Sequence, residues 1–288
     1  MNITSPEDTF TLANGVGLPC IGFGTYNVDE SHTAETAVRT AIRVGYRSID
    51  AAASYHNETE VGRGIKNGLK ENGLQREDIF VTSKVWKTDM RYDRAIQSAE
   101  KSIRDLDIGY LDLLLIHWPA SPSQFDDWEK RNLETWRALT DLYRDGKVRA
   151  IGVSNFLPEH LAPLLDTDIL PMVDQIEFHP GYPQFETVRF CQEKGIRVEA
   201  WSPLARKRML NNSLLGEIAE QTGKSPAQIC LRWALQHDIC PLPKSTHEER
   251  ILENIDIFDF SLSPDAMQKI DDLPEDGFSG LHPDTVTF

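Results

Sequence analysis

Cysteine is scarce in this 288-residue chain. The four present, Cys20, Cys191, Cys230 and Cys240, form no C-x-x-C pair and no zinc-type spacing. That excludes a disulfide framework and a structural zinc site as organising devices, and reduced thiols in a cytoplasmic protein are expected. Apolar runs long enough to cross a bilayer, about 18 residues, are missing, so no membrane span is expected. The opening MNITSPEDTF has neither a basic n-region nor an apolar h-region, so no signal peptide is expected either. Basic residues are in deficit: 30 Lys and Arg stand against 45 Asp and Glu, a net charge of −15. Such a surface repels nucleic acid and anionic membranes, yet it still admits an anionic ligand where basic residues gather locally. H-E-x-x-H and clustered His/Asp spacings are absent, which weighs against a metal hydrolase, and no metal is expected. G-x-G-x-x-G is absent too. GFGTYN supplies Gly22 and Gly24 but has Asn27 in the third place, which weighs against an open dinucleotide-binding sheet. There is no low-complexity linker, so residues 1–288 are expected to form one domain, long enough to bury a large core without staples.

What is present is a recurrent pair: a short apolar run, then an amphipathic segment. Asn14-Gly15 between β-prone runs predicts an opening hairpin. After it come CIGFG with a helix near 31–44, RSIDAA with 58–72, IFVTSKV with 91–107 and YLDLLLIH with 128–145. Then follow VRAIGVSN with 158–165, MVDQIEFH with 184–194, IRVEAWSP with 213–222 plus PAQICLRWALQH, and ICPLPKS with 247–255. A last helix near 264–272 and a loose tail end the chain. The runs are apolar rather than alternating, as in parallel strands covered on both faces. Eight units in under 300 residues favour an α/β fold of (β/α)8 TIM-barrel type with an N-terminal β-hairpin.

Three of these runs end in ionisable residues at nearly equal intervals: RSID in Asp50, IFVTSK in Lys84 and LLLIH in His117. Singly, a strand-end Lys or Asp is ordinarily a solvated cap, and a lone His is ordinarily just hydrogen-bonded. In a barrel, however, all strand carboxyl ends share one rim, and that rim carries the active site. Tyr55, five residues past Asp50, can fold over the same mouth. A phenol has a pKa of about 10, and a nearby ammonium lowers it. Asp50 would hold Lys84 charged and oriented, and His117 would donate to a developing oxyanion. Tyrosine acid, lysine tuner, aspartate anchor and histidine polariser together suit reduction of a carbonyl to an alcohol. No side chain carries a hydride, so a nicotinamide cofactor is required.

Barrels often hold phosphate after strands seven and eight. Strand seven ends in EAWSPLARKR, where Trp201 could stack on a nicotinamide ring or simply fill the core. Strand eight ends in LPKSTHEERILEN. There Ser245 or Thr246 could cap a helix whose free N–H groups favour an anion, with Lys244 and Arg250 beside it. Two cations point to an extra phosphate, hence NADPH/NADP+ over NADH.

These residues together resemble the aldo-keto reductase family along essentially the whole chain. GYRSIDAAASYHNETEVG is similar to the family's first signature, VTSKVW and LLLIHWP match its lysine and histidine segments, and LPKSTHEERILEN resembles its cofactor signature. The resemblance implies a barrel with NADPH extended across the rim. It makes Tyr55 the proton donor, aided by Lys84, Asp50 and His117, with Asp50 also beside the cofactor and His117 also beside the substrate. Ser154, Asn155 and Gln175 would bind the carboxamide and Trp201 would stack on the ring. Gly24, Thr25, Ser202 and Leu204 would line the cofactor channel. Lys244, Ser245 and Arg250 would hold the 2′-phosphate, Glu253 and Asn254 would contact adenine, and Trp86 and Trp118 would wall the substrate pocket.

Ala205 departs from the family's usual glycine, and the loops after His117 and strand seven are short, as is the ending. The chain looks like compact microbial members, among them 2,5-diketo-gluconate reductases and prostaglandin F synthases. An open pocket tolerant of small aldehydes, α-keto esters and keto sugars is expected, in a monomeric protein. Two rivals remain on the residues: Lys84 as a Schiff-base aldolase nucleophile, and a non-catalytic cofactor-binding regulatory subunit of the same fold.

Overall fold

The computed structural model describes residues 3–28 and 33–286. A two-stranded antiparallel hairpin, β1 (Thr9–Thr11) and β2 (Gly17–Pro19), opens the chain. Eight parallel strands follow: β3 (Phe23–Gly24), β4 (Ser48–Asp50), β5 (Phe80–Val85), β6 (Leu111–Ile116), β7 (Val148–Ser154), β8 (Val173–Glu177), β9 (Arg197–Trp201) and β10 (Cys240–Pro241). Each pairs with its neighbour in chain order. The sheet closes on itself through two backbone bonds, Gly22 N–H to Pro241 C=O and Gly24 N–H to Pro243 C=O, both 3.0 Å. Every residue of β4, β5, β6 and β8 is buried, which is why these runs read as apolar instead of alternating.

Helices lie between the strands, α1 (Thr33–Arg43), α2 (Glu58–Asn72), α3 (Tyr92–Leu106), α4 (Trp128–Arg144), α5 (Pro158–Leu161), α6 (Phe185–Glu193), α7 (Ser213–Thr222) and α8 (Pro226–Gln236), and after the last strand, α9 (Glu248–Ile255) and α10 (Pro264–Asp271). The helix expected from position 31 begins outside the described residues. The one expected over 158–165 is shorter than its pattern. α5 stops at Leu161 and continues as a 3-10 turn over Ala162–Asp166, because Pro163 has no N–H to give the preceding turn. Between α7 and α8 the chain restarts on a capping box: Gln228 N–H donates to Ser225 Oγ and Ser225 N–H to Gln228 Oε1.

Packing of α2 depends on Gly62. A Cβ there would stand 2.1 Å from the carbonyl oxygen of Leu106, at the end of α3. Backbone cannot retreat as a side-chain tip can, so Gly62→Ala is expected to destabilise the fold by about 3 kcal/mol. Calorimetry would show a lowered Tm, and an unchanged Tm would refute this contact.

The two ends of the barrel differ in chemistry. At the strand amino ends, buried Asp112 accepts from Arg76 (2.8 Å), Arg149 (2.6 Å) and Val81 N–H (2.9 Å). Phe10 and Leu18 of the hairpin are buried, and Arg197, at the start of β9, lies over the Phe10 ring. This is a closed, self-satisfied floor. The carboxyl ends are different.

Candidate active site

Parallel pairing puts the ends of β4, β5 and β6 side by side, so Asp50, Lys84 and His117 meet on one rim. Tyr55 joins them because the chain leaves β4 through a 3-10 turn, Ala53–Tyr55, and reverses at His56, whose φ is 56°. Asn57 pins this turn from below. It is buried, and its amide donates to the carbonyls of Thr25 (3.0 Å) and Val28 (3.2 Å).

Lys84 is the hub. Its Nζ donates to both Asp50 oxygens (2.7 and 2.8 Å), to the Ala51 carbonyl (3.0 Å) and to Tyr55 Oη (3.2 Å). An ammonium can only donate. Tyr55 Oη therefore accepts from it, and the phenol keeps its own hydrogen for another partner. Burial pulls the Lys84 ammonium down, but the charges and hydrogen bonds of Asp50 and Tyr55 outweigh it, and its pKa ends above the ordinary lysine value.

The lysine was expected to lower the phenol's pKa. The structure corrects the net direction: burial pushes Tyr55 up to about 12, with Lys84 pulling the other way and Asp50 adding to the rise. Tyr55 is thus fully protonated at neutral pH. His117 is held well below the ordinary imidazole value, first by burial and then by the charge of Lys84, so it is a neutral ring. Ser54 Oγ lies 3.4 Å from its Nδ1, and a hydroxyl donating there leaves the ring hydrogen on Nε2. The rings of Tyr55 and Trp86 stand edge-on to His117, at 5.6 and 5.0 Å between centroids.

Other candidates gather around this core. Thr25 Oγ1 donates to the Asp50 carbonyl at 2.8 Å. Ser154 donates to the Gln175 carbonyl (2.7 Å), and Asn155 links the His117 carbonyl (3.0 Å) to the Trp201 indole N–H (2.7 Å). Gln175 reaches inward, where its amide donates to Asp50 (3.0 Å) and to Glu199 (2.9 Å). Trp86 and Trp201 are half-buried at the mouth. Trp118 is buried, 6.5 Å from the Trp201 ring, and offers little surface to a ligand. Tyr26, missed in the sequence, is 57% exposed and packs 5.1 Å from the Tyr55 ring.

At the corner expected to hold phosphate one detail differs from expectation. Neither Ser245 nor Thr246 caps α9. The cap position is His247, without a side-chain cap, and Ser245 instead accepts the His247 N–H at 3.1 Å. The first turn's N–H groups are thereby left without a capping side chain. Glu248, at its start, pairs with Arg43 (2.8 Å). Lys244 donates to the Asn27 carbonyl (3.0 Å), joining this corner to Gly24 and Thr25. Lys244 and Arg250 are exposed, Glu253 is half-buried and Asn254 buried.

The loop after β9 is strained. Ser202, Ala205, Arg206 and Lys207 all have left-handed φ (54°, 48°, 51° and 78°), so Ala205 holds a conformation that glycine adopts without penalty. Beside half-buried Leu204, Ser202 Oγ is buried and meets no hydrogen-bond partner among the described residues. An orphaned hydroxyl and an uncapped helix start beside two cations fit a dinucleotide phosphate.

The expected loose tail is tied down. Arg208 donates to the carbonyls of Gly277 and Phe278, Ser279 donates to Glu177, His160 bonds Asp284, and Gln124 bonds the Val286 carbonyl. Phe278, Leu281 and Pro283 line a small cavity with Asn155 and Trp201.

A closed parallel barrel with a buried Asp–Lys–Tyr chain and a neutral histidine on its carboxyl rim defines a class of oxidoreductase, and residues 20–275 match the Aldo/keto reductase family: the chain belongs to it. Among its relatives, glyoxal reductase of Bacillus subtilis is 50% identical over 286 residues, 99% of each chain. An aldo-keto reductase from a Medee basin deep-sea metagenome superposes with a TM-score of 0.89 at 37% identity, covering 97% of this chain and 100% of that one. A Bombyx mori aldo-keto reductase solved in complex with NADP gives 0.83 at 33% identity, covering 93% and 92%. Among the described residues, no helix is long and apolar enough to cross a membrane.

Proposed function

We propose that this chain is an NADPH-dependent carbonyl reductase in which Tyr55 is the general acid. The observation that carries the reading is the unbroken chain Asp50–Lys84–Tyr55, with donor–acceptor distances of 2.7 and 3.2 Å. A bound nicotinamide supplies the hydride. The protein's own part is to hold the carbonyl oxygen between Tyr55 Oη and the His117 ring and to deliver a proton. The His117 hydrogen bond strengthens as the oxygen gains charge. Tyr55 then gives its proton to that oxygen, an alkoxide far more basic than a phenolate, and Lys84 neutralises the phenolate left behind. A phenol pushed up to about 12 still loses this proton downhill.

Ser154, Asn155 and Gln175 would hold the carboxamide and Trp201 would stack on the ring. Both hydrogens of the Gln175 amide nitrogen are engaged inward, so its Oε1 is the atom for the carboxamide NH2. Gly24, Thr25, Asp50, Ser202 and Leu204 would line the channel. Lys244, Ser245 and Arg250 would take the 2′-phosphate, and Glu253 and Asn254 the adenine. Trp86, His117 and Tyr26 would face the substrate, with Trp118 behind them. Half-exposed aromatics around the mouth suit small aldehydes, and the relative named glyoxal reductase supports α-dicarbonyls as the first class to try. One continuous apolar core runs through the described residues and supports one domain over 1–288. Four buried free cysteines agree with a reducing, cytoplasmic setting.

Arg250→Ala tests the cofactor reading. It is expected to weaken NADPH about 10- to 100-fold, the worth of one charged hydrogen bond, while NADH affinity barely changes. Titration of the protein's tryptophan fluorescence with each nucleotide checks it, and equal weakening of both would overturn the 2′-phosphate assignment. The regulatory-subunit reading keeps cofactor binding but leaves the assembled Tyr–Lys–Asp–His set without a task.

A further inference from the structure

Behind the rim, one buried acid has no place in the mechanism above. Glu199 sits on β9, its side chain in the barrel interior with those of Asp50, Lys84 and Gln175, and it is only 1% exposed. The single amide nitrogen of Gln175 donates to Asp50 Oδ1 (3.0 Å) and to Glu199 Oε2 (2.9 Å). A hydrogen-bonded path thus runs across four strands, from Glu199 through Gln175, Asp50 and Lys84 to Tyr55. Glu199 Oε1, by contrast, is buried and meets no hydrogen-bond partner among the described residues.

We propose that Glu199 is a positioning residue for carbonyl reduction, which acts through Gln175 on the Asp50–Lys84 pair and sets how readily Tyr55 gives up its proton. The proposal rests on the reductase reading above. Its physical basis is charge counting in a dry interior. Asp50 and Lys84 balance each other. When Tyr55 donates, the phenolate adds one negative charge that Lys84 must carry. An ionised Glu199 would add a second, with one oxygen unsolvated, and oppose donation. A protonated Glu199 removes that charge, and its Oε2 can still accept from Gln175.

The surroundings favour this switch near neutrality. The groups facing Glu199 are Asp50 on β4, Lys84 on β5, Gln175 on β8 and Cys240, its partner in register on β10. Burial raises the Glu199 carboxyl to about 7 and Asp50 adds to the rise, while the Gln175 bond and Lys84 oppose it. Cys240 stays a neutral thiol, since burial, and then the charge of Glu199, push it well above its ordinary value.

The sign follows. Below about 7 Glu199 is neutral and reduction proceeds; above, it ionises and kcat falls. The expected fall is roughly three- to tenfold between about pH 6 and about pH 8. Glu199→Gln, which keeps the shape and stays neutral, is expected to abolish this fall while changing NADPH affinity by less than about twofold. Retention of the same fall in Glu199→Gln would overturn the proposal. Should that variant fold poorly, difference infrared spectroscopy of the wild-type protein answers the same question. A protonated-carboxyl band lost on titration through neutrality in the wild type and also in Asp174→Asn and Glu58→Gln, which remove the other buried acids that burial pushes up, supports the proposal, and its absence overturns it. Complete lack of reductase activity in the wild type at every pH would instead defeat the reductase reading itself, which separates the two failures.

Discussion

Tyr55→Phe lowers kcat for carbonyl reduction by about 10²–10⁴-fold while NADPH still binds, the range expected when one general acid is removed. The phenol oxygen is all that is lost. The ring keeps its edge contacts with Tyr26 and His117, 5.1 and 5.6 Å between centroids. Proton donation belongs to the transition state, so kcat and kcat/KM should fall together with little change in KM. The loss corresponds to about 3–5 kcal/mol of barrier. Water entering in place of the hydroxyl can restore part of the acid, which is why the lower end of the range is included. Steady-state kinetics on one aldehyde decide the matter, and unchanged kcat would remove Tyr55 from its role.

Lys84→Met has the second large effect, on stability as well as rate. The side chain is fully buried, and among the described residues its ammonium is the only cation bonded to Asp50. Taking one partner from a buried pair leaves the other charged and unmatched, at about 3–5 kcal/mol. The variant should therefore melt earlier. The pH dependence has a definite sign. Without Lys84 the buried Asp50 carboxylate has lost the cation that matched it, and that penalty falls on its charged form alone. The deficit in Tm relative to wild type should be largest at neutral pH and narrow on acidification. A deficit independent of pH would mean that only packing was lost. Rate should fall at least as far as in Tyr55→Phe, because the phenolate would form without a cation beside it.

The rim arrangement was legible in the sequence because strand ends are legible. Asp50, Lys84 and His117 close apolar runs whose pairing order is simply chain order, so once the barrel is read they must be neighbours. Tyr55 followed from its nearness to Asp50. Interior positions were harder. Glu199 and Gln175 sit within strands, and which of a strand's residues point inward depends on a register that apolar runs do not display. Tyr26 was hidden in a glycine-rich turn that reads as a connector. The direction of the Tyr55 shift was misjudged for a different reason. Sequence names the charge nearby but not how dry the site is, and here burial exceeds the pull of Lys84. The capping of α9 was placed one or two residues early, at Ser245 or Thr246; Ser245 is a good capping residue by type yet spends its hydroxyl on His247. The tail looked loose because its anchors, Arg208, Glu177 and His160, lie far from it in sequence.

The most direct measurement is the loss of NADPH absorbance at neutral pH when the protein meets glyoxal, methylglyoxal, an aromatic aldehyde, an α-keto ester and a diketo-gluconate, each repeated with NADH. The account expects rapid oxidation of NADPH with at least one small aldehyde, well above that of NADH, and its disappearance in Tyr55→Phe. Tight NADPH binding with no oxidation on any of these carbonyls would contradict it and give the chain to the regulatory-subunit reading.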